Sequence, residues 1–332
     1  MFDDAIKLIS DAQNIVVVQA ENADADSLGS SLALEEILSD QGKKVTMFCA
    51  IDIPKYLRYL KGWDRVVKDW PNDSDLVILV DTSSEALLQK TLKIPNLRHF
   101  LETHSFLVID HHGEASDNIT APHTLMIDPN SASTGEMILK MSIQASWTIN
   151  QQAAEHMLIS ILGDTLGLTT QSVTADTFAS ATKLVELGAK PADIEERRRD
   201  YMRKPAEILS YKGDLIKRIE YSLEGKLALV HIPWEDIQKY SDRYNPSVLV
   251  LDEMRLVEDV RVACAIKTYP DGKLTGKLRT NAPIAATIAG YFGGGGHNYS
   301  AGFKVYESYE KIMQELLTAT EKAINEYDTK VL

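Results

Sequence analysis

The sequence is short of basic residues. Lysine and arginine number 35 against 48 aspartates and glutamates, which gives a formal net charge of −13. Proteins that coat long nucleic acids take most of their affinity from neutralising phosphates, so this charge argues against a long duplex as partner. A short anionic substrate is still compatible, because a bound cation or a local basic pocket can reverse the field.

Cysteine and long apolar runs are also scarce. The two cysteines, Cys49 and Cys264, lie far apart, which argues against a disulfide framework, and we expect both to be reduced core residues. No apolar run approaches the roughly 20 residues that a membrane helix needs. The acidic start, residues 1–4, lacks the regions of a signal peptide. We therefore expect a cytoplasmic protein, and its 332 residues are ample for two domains.

Strand-like and helix-like segments alternate in the N-terminal half. Short apolar runs bounded by polar residues are typical of strands that are buried on both faces. Strands that are separated by helices predict βαβ units, and therefore a parallel sheet with right-handed crossovers. The predicted strands are 15–18, 44–48, 76–80 and 107–109, and the predicted helices are 4–13, 27–39, 133–144, 151–162 and 175–187.

The pattern changes after Gly188. A charged helical stretch, interrupted near Pro205, resembles a solvated linker and continues to about residue 221. Short β segments at 227–231, 247–251, 260–267 and 274–279 follow, and then a helix at 284–291, a glycine run, a strand at 301–305 and an amphipathic helix. We predict an α/β protein with a parallel-sheet domain (1–188), a helical linker (189–222) and a smaller α/β domain (223–332).

Acidic residues stand where predicted strands end. Asp24 and Asp26 follow the first strand, Asp81 follows the third, and Asp110 follows the fourth. Any one of them alone could be a helix N-cap, and the stretch 107–112 alone could be a polar loop that holds two histidines. Because parallel strands present their carboxyl ends at one edge, three strands that end in aspartate predict a shared cluster. Divalent metal relieves the repulsion within such a cluster, and two metals can clamp a phosphoryl oxygen.

These residues resemble a known family. The order and spacing of four segments are similar to the motifs of the DHH phosphoesterase superfamily: Asp24-Ala25-Asp26, Asp81, Asp110-His111-His112 and Asp164. Residues 277–280, 293–297 and 301–303 resemble its DHH-associated domain, and 131–136 resembles the family's segment before a helix. Length and domain order are most similar to the nanoRNase branch, which degrades short oligonucleotides and dephosphorylates 3′-phosphoadenosine 5′-phosphate.

The resemblance implies two metal sites. Asp81 would bridge both ions, Asp24 would bind the first, and Asp26, His111 and Asp164 would bind the second. Manganese is the implied metal, with magnesium as the alternative, because the ligands mix imidazole and carboxylate.

The resemblance also implies a reaction and its catalytic residues. A metal-bound hydroxide would attack the phosphorus of a short oligonucleotide, a linear dinucleotide or a nucleoside 3′,5′-bisphosphate. His112 would contact the scissile phosphate, and Asp110 would orient a histidine. A phosphatase for some other small phosphoester is a further alternative, and relatives suggest a homodimer.

In the second domain, the resemblance implies that Arg279, Gly294, Gly295 and His297 bind substrate. Glycines allow backbone N–H groups to approach an anion closely, and arginine offers a forked guanidinium. Without the resemblance, His297 would be interpreted as a structural histidine. Tyr299 stands near a position where relatives carry basic or small residues, and it could stack on a base.

The sequence departs from the family pattern at Ala20, where relatives usually carry a histidine that binds the first metal. Gln19 and Glu21 would point to the opposite face of an extended strand, and Asn22 would be on the correct side if the strand continued that far. Three outcomes are open: a slower two-metal enzyme, an enzyme with one tightly bound metal, or a nucleotide-binding protein without catalysis.

Overall fold

The computed structural model describes residues 2–113, 117–241 and 244–331, apart from the side chains of His297 and Val331. The chain divides into two compact units, Met1–Arg203 and Lys204–Leu332, so the division falls inside the stretch that was predicted as a linker. Among the residues in these ranges, no helix combines the length and the apolar character needed to cross a bilayer.

The first unit contains a five-stranded parallel sheet in the order β2-β1-β3-β4-β5, which confirms the predicted fold class. Its elements in chain order are α1 (Asp3–Asp11), β1 (Asn14–Val18), α2 (Ala25–Ser39), β2 (Lys44–Phe48), β3 (Leu76–Val80), α3 (Leu97–Thr103), β4 (Ser105–Asp110), β5 (Thr124–Ile127), α4 (Thr134–Gln144), α5 (Gln151–Asp164), α6 (Ala175–Glu186) and α7 (Pro191–Tyr201).

The central strands are apolar throughout because both faces of the sheet are covered. Ile15 and Val17 of β1 pack into one core cluster, and Val16 and Val18 pack into the cluster on the opposite face. All five residues of β3 are buried. This arrangement explains why uninterrupted apolar runs, rather than alternating ones, predicted these strands correctly.

Helices α2 and α5 pack closely against each other beside the sheet. A Cβ atom added at Gly29 of α2 would lie 2.7 Å from the carbonyl oxygen of His156 in α5. The small residue therefore lets the two helices approach, and this approach brings the start of α2 close to the end of α5. A Cβ atom at Gly163 would likewise overlap the side chain of Ala25.

The second unit contains a six-stranded mixed sheet in the order β10-β11-β9-β8-β7-β6, in which only the β7–β8 pair is parallel. Its elements are α8 (Ala206–Lys217), β6 (Glu220–Ser222), β7 (Leu227–Ile232), α9 (Trp234–Tyr240), α10 (Pro246–Arg255), β8 (Val262–Thr268), β9 (Leu274–Thr280), α11 (Ala285–Tyr291), β10 (Gly295–His297), β11 (Ser300–Val305) and α12 (Tyr309–Val331).

The strand predicted at 247–251 is wrong, because these residues lie in helix α10. The Asn245 side chain caps this helix by accepting a hydrogen bond from the Ser247 amide at 3.2 Å, and Pro246 occupies its first position. Val250 is buried whereas Val248 is 55% exposed, so the run packs with helical periodicity. The expected cysteine state is confirmed: both cysteines are buried and free.

Candidate active site

The acidic residue that follows β1 has a structural role at the start of α2. Oδ1 of Asp24 accepts hydrogen bonds from the amides of Asp26 and Ser27, both at 3.0 Å, and Ser27 Oγ accepts one from the Asp24 amide. Asp24 is therefore an N-cap in a capping box, which is the alternative that its sequence position allowed. The cap places Asp26 in the first turn of α2.

Asp81, at the end of β3, has an unusual backbone conformation. Its φ angle is +62°, in the left-handed region, and its amide donates to the Ile109 carbonyl at 2.9 Å. Aspartate tolerates this region better than most residues, but the conformation still costs about 1 kcal/mol or more. The strained turn buries the Asp81 side chain, with 8% of the residue exposed.

Three carboxylates surround one imidazole nitrogen. His111 Nε2 lies 3.5 Å from Asp26 Oδ2, 3.6 Å from Asp81 Oδ1 and 3.6 Å from Asp164 Oδ2. This nitrogen is buried and has no hydrogen-bond partner among the described residues. Asp81, His111 and His112 also offer ligand atoms that all lie within 4.8 Å of one another. One imidazole nitrogen and several carboxylate oxygens around a shared space fit a divalent cation.

The negative charges of the carboxylates in this cluster repel one another. Burial and the charge of Asp26 raise the pKa of Asp81 well above its ordinary value. Burial also raises the pKa of Asp164 to about 6, against the opposing charge of His111 and with a further increase from Asp26. A divalent cation would favour the ionised form of each carboxyl group, so this cluster fits such an ion.

Asp26 is held in place by the start of α4 and by α5. Its Oδ2 accepts a hydrogen bond from the Thr134 amide at 2.8 Å, and its Oδ1 accepts bonds from Ser160 Oγ at 2.5 Å and Ser30 Oγ at 3.1 Å. A Cβ atom at Gly135 would overlap Ser160 Oγ, so the glycine makes room for this contact. The sequence singled out segment 131–136 but gave no signal for Ser160, which lies in the middle of a helix.

The other histidine of the motif is paired with Asp110. His112 Nδ1 lies 2.7 Å from Asp110 Oδ1, and Ser83 Oγ donates to Asp110 Oδ2 at 2.9 Å. The hydrogen bond to Asp110 raises the pKa of His112. Burial alone would raise the pKa of Asp110, but hydrogen bonds from His112 and Ser83 hold it below its ordinary value. The histidine that Asp110 orients is therefore His112, whose side chain is 37% exposed.

The position of the missing histidine is enclosed. Strand β1 ends at Val18, and Ala20 is only 5% exposed. Asn22 is exposed in the turn that follows β1, so the extended strand that would have directed it into the site is absent. The Gln19 side-chain amide is buried without a partner among the described residues.

The predicted residues of the second unit lie on and beside its sheet. Arg279 in β9 donates to the Leu278 carbonyl at 3.1 Å and also to Ser300 Oγ. Gly294 precedes β10, and a Cβ atom there would overlap the Gly302 carbonyl oxygen. Gly295 pairs with Gly302 in the sheet. The backbone of His297 belongs to β10, and its side chain lies outside the described part of the structure.

Comparisons with known proteins agree with this architecture. Residues 14–161 match the DHH family, N-terminal domain. The chain is 22% identical over 325 residues to the bifunctional oligoribonuclease and PAP phosphatase NrnA of Bacillus subtilis. The alignment covers 96% of this chain and 98% of that protein. It is also 22% identical over 304 residues to the probable bifunctional oligoribonuclease and PAP phosphatase NrnA of Streptococcus mutans, with 91% and 93% covered.

Two solved structures share the fold. An exopolyphosphatase-related protein from Bacteroides fragilis has a TM-score of 0.84 and 20% identity, covering 98% of this chain and 96% of that one. The exonuclease RecJ bound to manganese has a TM-score of 0.51 and 14% identity, covering 97% of this chain and 94% of that one. Residues 14–161 therefore match the DHH family, N-terminal domain, and the similarity to the two NrnA proteins extends over nearly the whole chain.

Proposed function

We propose that this phosphoesterase hydrolyses short oligonucleotides, linear dinucleotides or nucleoside 3′,5′-bisphosphates with the help of bound Mn²⁺ or Mg²⁺. The observation that carries the proposal is the convergence of Asp26, Asp81 and Asp164 on the unpartnered Nε2 atom of His111. The substrate class is supported by the two bacterial relatives, which match over nearly their whole length and are named as oligoribonucleases and PAP phosphatases.

The proposal gives each of these residues a role in holding the ion. Asp26, Asp81, Asp164 and His111 would hold it, and Asp81 would be shared with a second ion near Asp24. When bound, a divalent ion of this kind polarises a phosphoryl oxygen and lowers the pKa of a coordinated water. The hydrogen bonds from Thr134, Ser160 and Ser30 hold the Asp26 carboxylate in place beside His111.

His112 would act on the phosphate itself. It is exposed enough to touch a substrate, and its hydrogen bond to Asp110 fixes the ring while raising its pKa. In its protonated form His112 would donate a hydrogen bond from Nε2 to a phosphate oxygen and stabilise the negative charge that develops there. Asp110 acts through His112, as a positioning residue.

In the second unit, Arg279, Gly294, Gly295 and His297 would bind substrate. The Arg279 guanidinium is oriented by Ser300 Oγ and can offer its remaining N–H groups as a fork to a phosphate.

The proposal is tested by turnover. Purified protein with MnCl₂ would be incubated with a 5′-phosphorylated diribonucleotide and with adenosine 3′,5′-bisphosphate, and the products separated by chromatography. The controls are Asp81→Asn, which removes a central carboxylate, and Asp128→Asn, a buried aspartate outside the cluster. We expect turnover by the wild type and by Asp128→Asn. Wild-type turnover no faster than that of Asp81→Asn would contradict the proposal.

A second candidate function, nucleotide binding without catalysis, is favoured by Ala20. Its methyl group cannot ligate a metal, Ala20 is buried, and Asn22 in the turn after β1 is exposed. This candidate predicts nucleotide binding that depends on Arg279 and His297, with wild-type turnover equal to that of Asp81→Asn. The number of Mn²⁺ ions bound per chain, measured by native mass spectrometry for the wild type and Ala20→His, separates one site from two. Robust wild-type turnover eliminates this candidate.

A further inference from the structure

A tyrosine lies beside the start of α2, the helix that carries Asp26. Tyr56 belongs to a short 3-10 turn, Lys55–Leu57, and its hydroxyl donates a hydrogen bond to the Ala23 carbonyl at 3.3 Å. Ala23 directly precedes Asp24, so the Tyr56 hydroxyl oxygen lies no more than about 6 Å from the Asp24 Cα atom. Partial burial and the charge of Asp24 raise the pKa of Tyr56, in agreement with this proximity. The ring therefore lies next to a residue that is proposed to bind an ion.

The segment that carries Tyr56 is anchored on both sides of this residue. Ile53 and Leu57 are buried in the core of the first unit, whereas Tyr56 is 51% exposed. The Leu57 amide donates to the Pro54 carbonyl at 3.0 Å, and Arg58 Nε donates to the Ile53 carbonyl at 3.0 Å. These contacts close the backbone into a turn whose exposed aromatic ring is held at its hydroxyl end. A side chain that is held in this way loses little conformational entropy when a ligand covers it.

The ring of Tyr56, rather than its hydroxyl group, is available to a ligand. A tyrosine hydroxyl has a single proton, and in Tyr56 this proton is already donated to the Ala23 carbonyl. The neighbouring residues in the stretch between β1 and α2 include Asn22 and Asp24, which are exposed and polar. Tyr56 therefore adds an aromatic surface beside a stretch of chain that otherwise offers an amide and a carboxylate.

A nucleotide would present two different chemical groups to this part of the chain. Its phosphate is anionic and belongs with a metal ion in the acidic cluster (Asp26, Asp81 and Asp164), whereas its base is uncharged and planar. Carboxylates do not repel an uncharged base, and an aromatic side chain attracts one by stacking. Stacking on one aromatic side chain is worth about tenfold or more in affinity per base, and every base has a face that can stack. The Tyr56 ring is thus complementary to the part of a nucleotide that the acidic cluster does not bind.

We propose that the Tyr56 ring is the surface on which a base of the substrate stacks while a phosphate is bound at the acidic cluster. The nucleotide nature of the ligand rests on the proposed function, whereas the place of the ring rests on its hydrogen bond to Ala23 and on its exposure. The protein would therefore prefer phosphoesters that carry a base over base-free phosphoesters of the same charge. It would accept different bases, because stacking requires only an aromatic face.

The first test compares two substrates of the full chain in MnCl₂: 5′-phosphorylated diadenylate, and the same compound with an abasic sugar in place of each adenosine. The wild type should have the higher kcat/KM for diadenylate, mainly through a lower KM. Tyr56→Leu should reduce this preference about tenfold, whereas Tyr56→Phe, which keeps the ring, should retain most of it. The matched control is Tyr221→Leu, which removes a tyrosine of similar exposure, 50%, from β6 in the second unit. It should behave like the wild type.

The second test measures stacking without turnover. The fluorescence of 2-aminopurine falls when this base stacks on another ring. Dinucleotides that carry 2-aminopurine in either position, with a methylene group in place of the leaving oxygen so that they cannot be hydrolysed, would be titrated with each protein in MgCl₂. The wild type, Tyr56→Phe and Tyr221→Leu should quench the fluorescence of at least one of them, and Tyr56→Leu should quench it much less.

The outcomes separate the stacking role from the proposed function. If either the substrate preference or the quenching persisted unchanged in Tyr56→Leu, the stacking proposal would be overturned. Equal losses in Tyr56→Phe and Tyr56→Leu would also overturn it, because the hydroxyl group and not the ring would then carry the effect. Quenching that depends on Tyr56 in a wild type without turnover would contradict only the proposed function.

Discussion

Replacing Asp81 with asparagine should stabilise the metal-free protein and abolish its stabilisation by Mn²⁺. Asp81 Oδ1 and Asp26 Oδ2 both lie within 3.6 Å of His111 Nε2, so they are no more than about 7 Å apart. At an effective dielectric constant of about 20, two unit charges at about 7 Å repel by about 2 kcal/mol. Asp164 Oδ2 also lies 3.6 Å from His111 Nε2, so the same distance limit applies to it, and its charge repels that of Asp81 by a similar amount.

The gain in stability from Asp81→Asn should be smaller than the sum of these pairwise repulsion energies. Burial and the neighbouring charges raise the pKa of Asp81, so partial protonation already relieves some of the repulsion. We therefore expect Asp81→Asn to raise the free energy of unfolding by about 1–3 kcal/mol in EDTA near neutral pH. Asparagine suits the left-handed backbone, and its amide oxygen can accept the Thr134 hydroxyl as Asp81 Oδ1 does at 3.3 Å.

Urea unfolding followed by tryptophan fluorescence measures this effect in the relevant unit. Three of the four tryptophans, Trp63, Trp70 and Trp147, lie in the first unit. The matched control is Asp128→Asn, because Asp128 is equally buried but accepts favourable hydrogen bonds from Ser131 Oγ at 2.7 Å and the Asn130 amide at 3.1 Å. This control should lose about 1 kcal/mol and keep its response to Mn²⁺.

Two results would refute the reasoning. If Asp81→Asn destabilised the protein in EDTA as much as Asp128→Asn does, the carboxylates would not be repelling one another. If Mn²⁺ stabilised Asp81→Asn as strongly as it stabilises the wild type, Asp81 would not be a ligand of the ion.

Three further substitutions test other parts of the structure. Gly135→Ala should lower the free energy of unfolding by about 1–3 kcal/mol and weaken Mn²⁺ binding in titration calorimetry, because the new Cβ would displace the Ser160 hydroxyl that holds Asp26. His112→Gln should lower kcat by about 100-fold or more while KM changes little, if it acts on the developing charge. The folded protein binds fewer protons at Lys267 between its pKa of about 8 and the unfolded value of 10.5. Wild-type stability should therefore rise with pH across this window, and Lys267→Met should remove that slope in pH-dependent urea unfolding.

The sheet of the first unit could be predicted because burial on both faces makes its strands uniformly apolar. Strand β5 could not, since it lies at the edge of the sheet and only Met126 of its four residues is buried. Helix α10 was mistaken for a strand for a related reason. Its apolar run is too short to show a period of 3.6, and the cap formed by Asn245 and Pro246 was the stronger signal.

The cluster of acidic residues could also be expected from strand ends, because a parallel sheet brings its carboxyl ends to one edge. The network that positions these residues could not be expected from the sequence. Ser160 donates a hydrogen bond to Asp26, which is 134 residues away in the sequence. This contact has room only because residue 135 is a glycine. A mid-helix serine has no distinctive local pattern, since its role is created by how closely α2, α4 and α5 pack.

The structure changes what the alanine at position 20 implies. The carboxylates around His111 Nε2 come from α2, from the residue that follows β3 and from α5, and none of these contacts involves the turn after β1. The alanine at position 20 therefore leaves the donors around His111 in place, whereas the second site proposed near Asp24 would depend on a carboxylate that already caps a helix. An ion bound at His111 should consequently be retained at metal concentrations that leave the other site empty. Native mass spectrometry during a Mn²⁺ titration would then show one ion per chain well before a second, and Ala20→His should bring the two binding steps closer together. Equal affinity for both ions in the wild type would mean that Ala20 is not the position that limits the first site.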